Sequence, residues 1–536
     1  MTAVFGDKMA NRNRMLILLL VFIFLFVVVV LRLFDLQVLR HEFYLNRSQE
    51  QRTRIIKLAA QRGDIFERNG NVLATSIDSY SVILYRKGWI ARKLSLGEAE
   101  KIKGENPEEI GLLKEKKRIY PKERLAAQVI GFVGVDNQGL SGLELAFDSY
   151  LKGKEGRVIT EGDPRGRELY GALRELEPGA DGMNLTLTID ENIQYVAERE
   201  LQKKLKEAGA VSGMCLVMDV RTGELLAVAS KPDFDPNVYL KSRRELWHPR
   251  FLDPYEPGSV FKLITVAAAL EEGVITLDTR LKSMDSITVG GKVIKNSHPI
   301  DWPGKTISVS KMLEDSINTG SVQVGLKLGK EKFYKHIRDF GFGERTGFGI
   351  WGESRGIVKE PKRWYKPDIG MITFGQTIAV TPLQLLGAVS VFANEGMMVK
   401  PYLVNKIESS NGRFVRFFPR GRKRRVVSQK TADEVKELMR SVVVKGTGKR
   451  AQIKGFGVCG KTGTAQKAIP HGIGYFKDRY ITSFIGFAPY QDPRVACLVI
   501  VDDPRTEIWA EKVCVPVFKD VTEFTLRYMN AKPDML

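Results

Sequence analysis

The sequence predicts an α+β domain behind one apolar helix, and three observations carry that expectation. Residues 15–34 form an almost uncharged run. Strand-like segments open and close the stretch from 186 to 536, and helical periodicity fills the space between them. Strands early, helices in the middle and strands late describe one sheet completed by both ends of a single segment. With 536 residues, the chain allows about three to four units at roughly 150 residues each, or fewer large ones.

The first element is the anchor. Met15–Leu31 reads MLILLLVFIFLFVVVVL without a charge, and a snorkelling Arg32 extends the run to Phe34. Twenty residues at about 1.5 Å each cover a hydrocarbon core of about 30 Å. A cleaved signal peptide would have a shorter apolar core and a small-residue cleavage site. LRLFDLQVLR follows instead, so an uncleaved single-pass anchor is expected, preceded by a short tail of residues 1–14. Flanking charge does not orient it: Lys8, Arg12 and Arg14 precede the span, and Arg32, Arg40, Arg47, Arg52 and Arg54 follow it.

Residues 35–185 read as a mixed, loop-rich domain. GDIFERNGNVLA (Gly63–Ala74) places Asn-Gly between apolar runs, which predicts a hairpin. Arg62–Asp64 spells an adhesion tripeptide, but a structural turn is the expected role. LEPGADG (Leu176–Gly182) reads as a linker. After it NLTLTID alternates as a strand, and Asp190 caps an amphipathic helix with Ile193, Val196, Ala197, Leu201 and Leu205 on one face. Met214–Ser230 predicts a second hairpin. A helix is expected over Ser259–Gly273, helical segments to about Phe392, strands at Gly457–Thr464, Ile481–Ala488 and Val495–Val501, and a closing helix at about Pro516–Met529.

The chemistry starts at EPGSVFK. Ser259 and Lys262 are three apart at a helix start, so their side chains share a face. A helix N-terminus adds positive potential and free N–H groups. There a neutral lysine amine can take the proton from a serine hydroxyl. The spacing alone is weak, because Ser149/Lys152 and Ser308/Lys311 repeat it as surface pairs. Two further elements separate Ser259 from these decoys: Ser316-Ile317-Asn318 between two helical runs, and Lys461-Thr462-Gly463-Thr464 on a strand-like segment. Ser409/Asn411 matches the second element too, whereas Lys-Thr-Gly occurs once. The three in this order form a specific pattern.

With these residues, the chain resembles the class B penicillin-binding proteins, most of all the division-specific FtsI group. RGDIFERNGNVLA is similar to that family's RGxIxDRNGxxLA box, with Glu67 where Asp is usual. RIYP, GLSGLE, LKGKEG, FGQTIAVTPLQL and KGTGKRA resemble further family segments. The resemblance implies a penicillin-binding, serine-transpeptidase-like domain over 186–536, with an antiparallel sheet and helices. It also implies an elongated pedestal over 35–185, outside the cytoplasmic membrane. Ser259 would attack the penultimate D-Ala carbonyl of a peptidoglycan stem peptide, with Lys262 as base. Lys461 would keep Lys262 neutral and Ser316 would relay the proton to the leaving amine. Asn318 would bond the substrate amide, Thr462 and Thr464 its carboxylate, and Gly463 would clear room for a peptide along the strand edge. The backbone N–H groups of Ser259 and Thr464 would form the oxyanion hole. The implied activity is that of a serine-type D-Ala-D-Ala transpeptidase at the septum, inhibited covalently by β-lactams, with no cofactor or metal. Implied partners are an FtsW-type glycosyltransferase and the FtsQ, FtsL and FtsB proteins.

Other readings fit less well. A class A β-lactamase needs a deacylating glutamate in an ExxLN-type segment, which is not found, and a β-lactam sensor usually carries several spans. An elongation-specific transpeptidase is the nearest alternative. The net charge of +20 favours anionic neighbours. The basic run Arg413–Arg425, with its interleaved Phe, reads as a solvated loop on an exported domain and not as a nucleic-acid site. Four cysteines without a CxxC pair, and five scattered histidines, carry no metal pattern. Cys459 is expected to pack. Trp247, Trp302, Trp351 and Trp364 are candidates for a glycan cleft and equally for ordinary packing.

Overall fold

The computed structural model describes all residues except 1, 85–87, 106–109, 162–174, 301–304, 419–422, 470–473 and 536. Two compact units result, one of residues 1–60 with 154–180 and one of residues 61–153 with 181–536. In the first unit a helix runs through Thr2–Phe34, so the expected tail continues the anchor helix without a break. Among the described residues Asn11–Leu39 is the one stretch long and apolar enough to cross a membrane. The same unit holds a small antiparallel sheet of Thr53–Leu58, Gly156–Glu161 and Glu175–Glu177. Part of the segment read as a linker is therefore a paired strand.

In the second unit the Asn-Gly hairpin forms as expected, Ile65–Phe66 against Val72–Leu84. Glu67 closes its turn by accepting from the backbone N–H groups of Asn69 (2.7 Å) and Asn71 (3.0 Å). Ile65–Phe66 also pairs in parallel with Asn184–Leu187, which pairs on its other side with Val404–Glu408. The expected boundary between 185 and 186 falls inside that strand. Arg62 is the structural anchor of this region. It is 2% exposed and pairs with Glu144 at 2.7 Å and Asp148 at 2.6 Å. Glu144 is fully buried and also takes Arg118 at 2.7 Å and the Tyr120 hydroxyl at 3.3 Å.

The elements that carry and flank the site are, in chain order, Glu191–Ala208 (α1), Ser212–Asp219 (β1), Leu225–Lys231 (β2), Lys262–Glu271 (α2), Val309–Glu314 (α3), Asn318–Leu328 (α4), Gln429–Lys445 (α5), Cys459–Ala468 (β3), Tyr475–Ala488 (β4), Val495–Asp502 (β5) and Ala510–Tyr528 (α6). Asp190 caps α1 through the N–H groups of Asn192 and Ile193. The five strands form one antiparallel sheet in the order β2-β1-β5-β4-β3, so both ends of the segment complete it. Strand alternation divides the core. Cys215 and Val217 face one layer with α1 and α6. Leu216 and Met218 face the other, where Val260, Leu263 and Leu438 pack.

Two further expectations change. The middle of the segment is not helical throughout. Ser286–Val289 and Lys292–Lys295 form a hairpin on a Gly290-Gly291 turn, and Arg280–Lys282 pairs with Thr306–Ser308. Both glycines have positive φ, which a two-residue hairpin turn of the mirror-image type requires. The closing helix starts at Ala510, six residues before the proline taken as its opening, so Pro516 lies inside it.

Replacing Glu144 by Ala removes the buried carboxylate that Arg62 and Arg118 share, leaves Arg62 only Asp148, and is expected to destabilise the domain by about 3–5 kcal/mol. The urea midpoint of the variant against that of the parent checks it. An unchanged midpoint would mean the network is not a structural anchor.

Candidate active site

The turn before α2 carries the first motif. Gly258–Phe261 is a 3-10 turn that leads directly into α2. Residues three apart eclipse in a 3-10 turn, so Ser259 and Lys262 lie one above the other. Gly258 has φ of 60° and its N–H donates to the Gly375 carbonyl at 3.2 Å.

The second motif sits where α3 ends. The Ile317 N–H donates to the Met312 carbonyl at 2.8 Å, and the Ser316 N–H to Leu313 at 3.2 Å. This is a Schellman turn, with Ile317 buried as its apolar plug. The left-handed position in such a turn usually holds glycine. Here it holds Ser316, with φ of 57°. A side chain there costs about 1–2 kcal/mol of backbone strain, and the turn directs its hydroxyl between two amines.

The third motif lies on β3, the edge strand of the sheet. Lys461 Nζ donates to Ser316 Oγ at 2.9 Å and to the Thr462 carbonyl at 3.1 Å. Lys262 Nζ reaches the same Ser316 hydroxyl at 3.3 Å and the Ser316 carbonyl. Both lysines are fully buried. Burial, and then the neighbouring Lys461, hold the Lys262 amine well below the usual lysine value. Burial alone brings Lys461 down to about 7. Desolvation penalises the charged form and drives both shifts.

A groove of about 880 Å³ opens above this cluster. Ser259, Ser316, Asn318, Thr462 and Thr464 line it, while Lys262 and Lys461 lie beneath its floor. Thr462 is held by Thr447, whose hydroxyl is 2.7 Å away. Asn318 already donates its side-chain amide to the Lys295 carbonyl at 3.0 Å, tying α4 to the 286–295 hairpin. Gly463 has a different role from the expected one. A Cβ there would meet Ser483 Oγ at 2.5 Å, Val260 at 2.9 Å and the Pro257 carbonyl at 3.1 Å. The missing side chain thus lets the nucleophile turn pack on β3, and does not clear the outer strand edge.

The decoys separate cleanly. Ser149 and Lys152 are exposed, Ser308 caps α3, and Lys311 pairs with Asp315 at 2.9 Å. Ser409 bonds Asn411 within an exposed turn. Cys459 is buried in the core as expected. Of the tryptophans, Trp247 packs edge-to-face with Phe132, Trp364 likewise with Phe333, and Trp351 is exposed away from the groove. Trp302 and His471 lie outside the described residues. The groove is instead walled by Lys292–His298, Tyr475, Tyr480 and Trp509. The hairpin had a sequence signal in ITVGGKVI; the aromatic wall had none.

The penicillin binding protein transpeptidase domain matches residues 213–523, and the penicillin-binding protein dimerisation domain residues 84–187. Stage V sporulation protein D of Bacillus subtilis is 34% identical over 449 residues, 82% of this chain and 69% of that protein. The probable peptidoglycan D,D-transpeptidase PenA of Neisseria meningitidis is 30% identical, with 93% and 90% covered. The peptidoglycan D,D-transpeptidase FtsI of Escherichia coli is 31% identical, with 88% and 79% covered. The crystal structure of penicillin-binding protein 3 from Mycobacterium tuberculosis complexed with aztreonam superposes with a TM-score of 0.74 at 28% identity, covering 90% of this chain and 99% of that one.

Two outcomes follow from the buried cluster. Ser316→Gly should be more stable than Ser316→Ala by about 1 kcal/mol, because only glycine relaxes the left-handed position. Equal unfolding midpoints would remove the strain argument. The folded-state value of Lys461 is depressed below its unfolded value, so between about pH 7 and 10.5 the unfolded chain holds a proton the folded chain lacks. Stability should therefore rise with pH across that window relative to Lys461→Met, as read by parallel denaturant titrations. A flat difference would mean Lys461 keeps its ordinary value.

Proposed function

The chain belongs to the class B penicillin-binding proteins, and on that premise we propose that it is a septal peptidoglycan D,D-transpeptidase working through a Ser259 acyl-enzyme. The observation that carries this reading is the Ser316 hydroxyl within hydrogen-bond reach of both Lys262 and Lys461, in a groove that also exposes Ser259.

A donor stem peptide lies along the β3 edge with its terminal carboxylate on Thr462 and Thr464. Ser259 Oγ attacks the penultimate D-Ala carbonyl while its proton passes to the neutral Lys262 amine. Lys262 can serve as base because burial, and then Lys461, favour its uncharged form. The backbone N–H groups of Ser259 and Thr464 take the developing oxyanion. Ser316, which donates and accepts at once, passes the proton to the departing D-Ala amine. The acyl group then moves to an amine of a neighbouring stem peptide, which closes the cross-link and returns the proton. The acyl donor carries the bond energy, so this route requires no cofactor or metal.

Because the substrate lies outside the cytoplasmic membrane, the N-terminus is inside and residues 35–536 are exported, with 35–185 as pedestal. The apolar helix and pedestal supply lateral surfaces for an FtsW-type glycosyltransferase and other division-site membrane proteins.

Ser259→Ala should lose covalent labelling by a fluorescent penicillin while its circular dichroism and melting match the parent. Labelling that persists in a folded variant would take Ser259 out of the mechanism. Depletion of the protein should give filamentous cells; rounded cells would assign it to elongation instead.

A further inference from the structure

A half-buried carboxylate beside the groove has no part in the chemistry above. Glu256 lies three residues before Ser259. Its Oε1 accepts from the Thr377 backbone N–H at 3.0 Å and from the Tyr475 hydroxyl at 3.2 Å. Its Oε2 is buried without a partner among the described residues. Burial pushes the carboxyl up to about 6, against the pull of Thr377, Tyr475 and Lys292. A carboxylate kept at such a cost is a candidate for function.

Its partners belong to the groove. Tyr475 opens β4 and lines the groove, as do Phe374 and Gln376, next to Thr377. Thr377 has φ of 60°, a left-handed conformation that is strained for a β-branched residue. The Glu256 carboxylate is the acceptor for the N–H of that strained residue. Gly375 is pressed against the nucleophile turn: a Cβ there would come within 2.3 Å of the Gly258 carbonyl oxygen. Three segments thus meet at one carboxylate: the nucleophile turn, the 374–377 loop and the start of β4.

We propose that Glu256 is a positioning residue that fixes the Tyr475 ring and the 374–377 loop against the nucleophile turn, and thereby sets which acyl side chains the groove holds. It acts through its two partners and touches no reacting atom. The inference rests on the reading of Ser259 as the acylated residue. A ligand without an acyl side chain does not need the wall, whereas one with a bulky side chain is misplaced when the wall moves.

The test uses the full chain in detergent and two probes, benzylpenicillin and the bare penicillin nucleus that lacks an acyl side chain. Acylation rates are followed by intact-protein mass. Glu256→Gln and Tyr475→Phe should each slow benzylpenicillin about tenfold, the scale of one lost hydrogen bond to a charged group. The bare nucleus should change by less than about twofold, and the double variant should be no slower than the slower single one. Equal slowing of both probes, no slowing, or losses that multiply in the double variant would overturn the proposal. Should Glu256→Gln fail to fold, Tyr475→Phe carries the comparison alone. A parent protein that takes up neither probe would sink the reading of Ser259 instead.

Discussion

Two amines buried around one hydroxyl form the constraint on which the rest of the site depends. The partners of Lys262 and Lys461 are neutral oxygens of Ser316 and Thr462, and among the described residues no carboxylate joins them. Without an anion to offset desolvation, losing a proton is the inexpensive answer for a buried lysine. The fold supplies the three groups from three separate elements, a helix start, a helix end and a strand. The contacts that join Ser316 to Lys262 and to Lys461 span 54 and 145 residues of chain, so the site exists only when the sheet and both helical segments are assembled. The strain at Ser316 belongs to the same arrangement, because the left-handed turn is what brings its hydroxyl between the amines.

Close backbone approach around the nucleophile turn is the second requirement. Val260 and Pro257 pack where a side chain on residue 463 would sit, and Gly375 meets Gly258 face to face. The turn is wedged between β3 and the 374–377 loop, with Glu256 bonded across to the loop and to β4. A serine on a turn held from two sides has little freedom of position, which is what attack on a bound carbonyl requires.

Much of this was legible in the residues. The order of Ser259, Ser316 and Lys461, the alternation of the sheet strands and the Asp190 cap all follow from local chemistry. The apolar anchor and the two hairpins did as well. What escaped was tertiary. That Gly463 faces inward depends on which layer covers β3, and periodicity assigns a face without saying what lies on it. Tyr475 and Trp509 reach the groove through packing that leaves no pattern in sequence. Pro516 misled because proline favours a helix start, yet buried packing of Val513, Val517 and Phe518 on the sheet carries the helix through it. The Gly-Gly hairpin at 286–295 has a local signal in ITVGGKVI, set among segments of helical periodicity.

The hairpin near the start of the second unit has a further consequence. Ile65–Phe66 lies beside Asn184–Leu187, and that strand in turn lies beside Val404–Glu408. Chain from before the catalytic segment is thus woven into the same ladder as chain from deep within it. A soluble fragment cut to begin at 186 would sever that strand and bare a row of backbone donors and acceptors, an edge that recruits neighbouring molecules. Any tethering loop removed for crystallisation or display must spare Arg62 onward, so the smallest well-behaved ectodomain is larger than the catalytic segment alone.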